Sequence, residues 1–242
     1  MILKIACVQS DIIARNPEEN FKHLDEVFTK IQDDRDIIIL PETFTTGFPA
    51  EPELFAEDEN GPTMTWMRRK AKERNCAIVG SFITQFSHQD SKSPSHQEES
   101  QCLSDSETQC LKYHNTLVWM NPDGTYHTYD KRHTFMGGEK EQLCCGQDLI
   151  TIEYKGWRIR PFICYDLRFP VWSRQRGDYD AILYVALWPK PRRRVWQTLL
   201  RARAIENQAY VVGVNRIGEE PGLEYSGDSA VIDYRGEEVV EM

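Results

Sequence analysis

Three ionisable residues stand where apolar strands are expected to end. Glu42 follows the run DIIIL (Asp36 to Leu40) and its Pro41; Lys131 follows a hairpin strand in TYDKRHTF; Cys164 closes WRIRPFIC and precedes YDLRFP. A charge at the mouth of an apolar strand must be paired or hydrogen-bonded, and in α/β sheets functional groups gather beyond the carboxyl ends of strands. A cysteine, a carboxylate and an ammonium together offer acyl transfer. A free thiol with a pKa near 8.5 is only about 3% thiolate at pH 7, so a base or a nearby cation must activate it. Glu42 would accept the Cys164 proton and later return it to a leaving amine. Lys131 would sit where negative charge develops, beside the backbone N–H of Tyr165, and one such donor is typically worth about 3–4 kcal/mol of barrier. The product would be a thioester, formed without metal or cofactor. Singly, each residue also has an ordinary reading: an inert buried thiol, a loop cap, a solvated charge. No periodicity relates positions so far apart, so the residues alone leave the triad open.

The elements that must position these groups alternate in type. Lys4 to Gln9, Asp36 to Leu40, Cys76 to Phe82, Trp157 to Cys164, Ala181 to Leu187 and Ala209 to Asn215 read as strands. Helical spacing runs from Arg15 to Gln32 through Phe21, Leu24, Val27, Phe28 and Ile31, and helices are also expected at Thr63 to Arg74 and Arg193 to Gln208. Thr116 to Met120 and Thr125 to Tyr129 flank the turn sequence Asn121-Pro122-Asp123-Gly124, and a closing hairpin joins Asp228 to Asp233 with Glu237 to Val240. The pattern argues an α/β layered fold with a mixed sheet.

Composition bounds the rest. With 242 residues, 40% hydrophobic and 28% charged, the chain reads as one globular domain over 1–242 rather than a fibrous or disordered chain. A net charge of −9 disfavours nucleic acid as a partner. The longest uncharged apolar run, Ala181 to Pro189, is too short to span a bilayer, and the N-terminal apolar stretch is too short for a signal peptide. A cytoplasmic protein without membrane contact is expected. Seven cysteines, at 7, 76, 102, 110, 144, 145 and 164, show neither C-x-x-C nor metal-ligand spacing. Ser87 to Lys112 is so polar that it reads as a mobile solvent-facing insertion, with Cys102 and Cys110 as free thiols.

The motifs DIIILPETFTTGF, TYDKRHTF and ICYDLRFPVWSR closely resemble those of the nitrilase superfamily of carbon–nitrogen hydrolases, whose catalytic Glu, Lys and Cys lie in these contexts in this order. WPKPRRRVWQTLLRARAIENQAYVVGVNRIG resembles the helix and strand that follow the nucleophile, and the similarity covers nearly the whole chain outside 87–112. The resemblance implies a four-layer α-β-β-α sandwich with mixed sheets, catalytic roles for Glu42, Lys131 and Cys164, a supporting Glu139 and a homodimer. YDKRHTF, CYDLRFPVWSR, the Trp188-Pro189 pair and RAIENQAYVVGVNRIG look most like the omega-amidase branch, which hydrolyses the terminal amide of 2-oxoglutaramate and 2-oxosuccinamate. Two alternatives stay open: the same triad acting on another amide, such as deaminated glutathione or an N-carbamoyl amine, and a non-catalytic scaffold.

The same motifs suggest a pocket. Phe48, Phe135 and Trp188 would form its apolar wall, or else belong to the core. Arg168 and Arg192 to Arg194 are candidates for a substrate carboxylate; Arg168 has the alternative of pairing with Asp166, and the arginine run that of a solvated helix start. The chain departs from the family pattern at Thr134, where leucine is common, in its polar insertion, and in a C-terminus that reads as shortened.

Overall fold

DIIIL is apolar at successive positions because both faces of its strand are covered. Ile37 and Ile39 point into a core between two sheets, whereas Ile38 and Leu40 lie under helices on the opposite face; the two-residue period of strand side chains makes that division. The computed structural model describes residues 2–48, 51–85, 113–220 and 222–240. The polar segment 87–112, with Cys102 and Cys110, lies outside the described residues.

The first sheet contains β1 (Ile5–Cys7), β2 (Ile37–Ile39), β3 (Ala77–Thr84), β4 (His114–Met120) and β5 (Tyr126–Asp130), in that spatial order. β1 to β3 run parallel, and β4 and β5 are antiparallel additions. The second half of the chain supplies β6 (Ile152–Tyr154), β7 (Trp157–Ile163), β8 (Ala181–Ala186) and β9 (Tyr210–Asn215), then a separate ribbon of β10 (Ile217–Glu220) and β11 (Leu223–Ser226), then β12 (Ala230–Ile232) and β13 (Glu238–Val240). The second sheet has the order β13-β12-β9-β8-β7-β6, with β7, β8 and β9 parallel at its centre.

Four α-helices accompany them among the described residues: α1 (Pro17–Phe28), the single-turn α2 (Pro52–Phe55), α3 (Pro62–Arg74) and α4 (Arg193–Asn207). At the start of α1 the Asn16 side chain accepts the Glu19 N–H at 3.2 Å, and Pro17 occupies the first turn, where no N–H is needed. Leu24 and Phe28 of α1 meet Met64, Trp66, Met67 and Ala71 of α3 over the outer face of the first sheet. α4 buries Trp196, Leu200 and Ala204 against the second sheet. The approach is close at Gly213 of β9, where an added Cβ would lie 2.6 Å from Leu200 Cδ1. Layers therefore follow as helix, sheet, sheet, helix, the expected four-layer sandwich with mixed sheets. α2, β6 and the two strands of the β10–β11 ribbon escape sequence reading. Several strands are a residue or more shorter than expected, among them β1, β2 and β12; at the site, β7 stops at Ile163 and Cys164 opens a 3₁₀ turn, Cys164–Arg168.

Candidate active site

Each proposed reactive side chain is held by the turn just beyond a strand. Beyond β2, the Thr43 N–H donates to Ser81 Oγ at 3.0 Å and the Phe44 N–H to the Ser81 carbonyl at 3.1 Å, which ties the Glu42 turn to β3. Beyond β5, the Lys131 N–H donates to the Asn115 carbonyl of β4 at 2.9 Å. Beyond β7, Cys164 has φ +42°, in the left-handed region that a non-glycine residue occupies only when its surroundings impose it. Asp166 does the imposing. Its buried carboxylate accepts the Ile163 N–H at 3.1 Å, the Tyr129 hydroxyl at 2.8 Å and the His133 N–H at 2.9 Å, and His133 Nδ1 lies 2.7 Å away. Trp172 Nε1 donates to the Tyr129 hydroxyl at 3.0 Å, and Phe169 stacks on the His133 ring.

These turns bring together groups distant in sequence. Lys131 Nζ donates to Glu42 Oε1 at 2.8 Å and to the Glu139 carboxylate at 2.7 Å. Glu42, Lys131 and Glu139 are each 2% exposed, so three charges are buried as one network, as buried charges must be. The Leu187 N–H, just past β8, donates to Glu42 Oε2 at 2.8 Å, and the Phe135 N–H donates to Glu139 Oε2 at 2.7 Å. The Cys164 thiol faces Glu42 across a cavity that both line. Burial first, and then the Glu42 charge, push the Cys164 pKa well above an ordinary thiol's, against the pull of Lys131. Burial would lower the Lys131 pKa, but Glu139 and Glu42 outweigh it and raise it. Burial raises the Glu139 pKa, and Lys131 opposes the rise. The resting thiol is thus neutral, beside the Glu42–Lys131–Glu139 cluster.

A cavity of about 370 Å³ opens on this cluster. Glu42, Lys131, Glu139, Cys164 and Tyr165 line it, together with Phe48, Phe135, Trp188 and Arg168. Arg168 does not pair with Asp166, whose oxygens are taken by Ile163, Tyr129 and His133; its guanidinium lies over the Tyr165 and Trp188 rings, at 5.9 and 5.1 Å. Arg192 also lines the cavity, over the Phe135 ring, whereas Arg193 pairs with Asp228 at 2.5 Å and Arg194 is not part of the lining. Cys144 and Cys145 lie outside the cavity lining.

Sequence reasoning missed Asn115, the Leu187 N–H and the ribbon residues Glu220, Leu223 and Tyr225, which close the cavity on one side. A backbone donor leaves no trace in residue type. Asn115 did leave one, a polar side chain at the head of the apolar strand NTLVWM.

A helix–sheet–sheet–helix sandwich with glutamate, lysine and cysteine converging from strand ends in both sheets defines the nitrilase-superfamily class. The carbon-nitrogen hydrolase profile matches residues 4–242, and the chain belongs to that family. It is 42% identical over 239 residues to the omega-amidase YafV of Escherichia coli K12, covering 97% of this chain and 83% of that protein. It is 31% identical to the 2-oxoglutaramate amidase of Bacillus subtilis, covering 98% of this chain and 85% of that one. Among solved structures, XC1258 from Xanthomonas campestris, a CN-hydrolase superfamily protein with an arsenic adduct in its active site, superposes with a TM-score of 0.85 at 40% identity, over 99% of this chain and 86% of that one.

Proposed function

We propose that this protein is a cysteine-dependent amidohydrolase that cleaves a small linear omega-amide, of the 2-oxoglutaramate or 2-oxosuccinamate type, to a carboxylate and ammonia. The observation that carries the reading is the buried Glu42–Lys131–Glu139 network facing Cys164 in one cavity. Cys164 Sγ attacks the amide carbonyl carbon while its proton passes to Glu42. The carbonyl oxygen takes up the displaced electron pair beside the Lys131 ammonium and the Tyr165 N–H. As the intermediate collapses, the C–N bond breaks and Glu42 returns the proton to the departing nitrogen, giving ammonia and a thioester. Water then loses a proton to Glu42 and attacks the thioester; the C–S bond breaks and the thiol is restored. Glu139 supports Lys131 throughout.

Substrate class follows from the lining of the cavity. Phe48, Phe135 and Trp188 give it an apolar surface, while Arg168 and Arg192 bring positive charge to it, which suits a substrate that carries a carboxylate as well as its amide. The similarity to an omega-amidase and a 2-oxoglutaramate amidase supports the same choice. Ammonia release from 2-oxoglutaramate, 2-oxosuccinamate, deaminated glutathione and an N-carbamoyl amine tests it. Preference for either of the first two is expected; turnover confined to the others would reassign the substrate, and, with hydroxylamine added to trap the thioester, hydroxamate formation by Cys164→Ala at the wild-type rate would end the thioester mechanism. A homodimer belongs to this reading, and sedimentation measures it.

A further inference from the structure

We propose that Asn115 is a positioning residue: by donating to both Glu42 and Glu139, its amide holds the two carboxylates on Lys131 and keeps the base of Cys164 ionised. This rests on the reading of Glu42 as that base. Asn115 is 1% exposed, and its Nδ2 donates to Glu42 Oε1 at 2.9 Å and to Glu139 Oε1 at 3.3 Å. Its carbonyl accepts the Lys131 N–H at 2.9 Å. One residue of β4 therefore touches all three buried charged residues.

The amide is committed to this task at a cost. Its two N–H hydrogens serve the carboxylates, and Oδ1 has no hydrogen-bond partner among the described residues. A buried acceptor without a partner opposes folding, and two charge-assisted bonds offset it. The flipped amide would aim Oδ1 at two carboxylate oxygens, so electrostatics fixes the orientation.

Charge balance explains why such a donor is needed. Glu42 faces Lys131 from the end of β5, Glu139 from the following loop, Cys164 from the turn after β7, the Leu187 N–H from the end of β8 and the Tyr225 phenol from β11. Two carboxylates share a single ammonium there, and like charges so close favour protonation of one of them. The Asn115 donors stabilise both in the charged form. Without them a proton settles on the carboxylate pair at higher pH, and Glu42 loses its capacity to take the Cys164 proton. The thiol is neutral at rest, so attack on an amide and attack on an alkylating agent both need that transfer.

The test compares wild type with Asn115→Asp, which has the same shape but replaces the donor by a third acid, and Asn115→Ser, which keeps one small donor. Two readouts are taken against pH: kcat/KM for ammonia release from 2-oxoglutaramate, and the rate of Cys164 alkylation by iodoacetamide followed by peptide mass spectrometry. The acid limb of both should move up by about one pH unit in Asn115→Asp and by less in Asn115→Ser. Kcat at neutral pH should fall about tenfold or more, with KM changed by less than about threefold. If Asn115→Asp does not fold, as read by circular dichroism, Asn115→Ser decides. Folded variants with unmoved acid limbs would overturn the proposal. Wild type inactive on every amide would defeat the functional reading instead, while the alkylation profile would still decide the role of Asn115.

Discussion

At the scale of single residues, the resting site stores no thiolate. Burial and the Glu42 charge both hold the Cys164 proton in place, and Lys131 counters them only in part. In the proposed mechanism activation therefore occurs in step with attack, through Glu42, rather than through a standing ion pair of the kind that gives some cysteines depressed pKa values. Glu42→Gln preserves shape and the acceptor for the Leu187 N–H but cannot receive a proton. It should lower kcat/KM by about 10²- to 10⁴-fold. Cys164→Ala should remove about 10⁴-fold or more. Steady-state ammonia release measures both, and near-wild-type turnover by Glu42→Gln would exclude it as the base. The residue types at these three positions were legible because each interrupts an apolar run with a group that is expensive to bury. Their convergence was not legible from spacing, because the network depends on long-range pairing, as with Leu187 donating to Glu42 across 145 positions.

At the scale of elements, legibility followed burial. β2, β7 and β8 are covered on both faces and read as continuous apolar runs. The β10–β11 ribbon and β6 are short and partly exposed, with acidic residues in sequence positions that resemble a loop, so no alternation marked them. Two predictions belong here. Gly213→Ala places a methyl group 2.6 Å from Leu200 and 2.9 Å from Trp196, so β9 and α4 must separate. About 1–3 kcal/mol of stability should be lost, read as a lower urea midpoint at unchanged slope. Asp36, at the head of β2, accepts the Lys4 N–H at 2.7 Å and an ion pair from Lys155. Burial raises its pKa, but these bonds outweigh burial and leave it below the usual aspartate value. Its contribution is therefore present above the unfolded pKa, near 3.9, and is lost as pH falls through the lower folded value. Asp36→Asn should cost about 1–2 kcal/mol at pH 7. The urea midpoints of variant and wild type should converge as pH drops below about 4; a gap independent of pH would place the effect in packing instead.

At the scale of the whole molecule, the site exists only while two sheets stay in register. Glu42 and Lys131 hang from the first sheet, whereas Cys164 and the Leu187 N–H hang from the second. Apolar packing between sheets is non-directional and cannot by itself set the thiol against the lysine. Besides the Leu187–Glu42 bond, a directional link runs through Asp166, two residues beyond Cys164. It accepts from Tyr129 of β5 and from His133 on the first-sheet side, and from the Ile163 N–H of β7 on the other. Its carboxylate is 0% exposed, so these donors are its only compensation among the described residues for lost water. Asp166→Asn keeps the volume but turns one acceptor oxygen into an N–H group facing donors. The variant should lose about 2–4 kcal/mol, more than Tyr129→Phe, which removes a single hydroxyl and should lose about 1–2 kcal/mol. Activity should fall further than stability requires, because the left-handed turn at Cys164 loses the contact that imposes it. Urea titration and kcat measured well below the unfolding transition separate the two effects. A folded Asp166→Asn enzyme with unaltered kcat would show that sheet packing and the Leu187–Glu42 bond set the distance between Cys164 and Lys131 without Asp166.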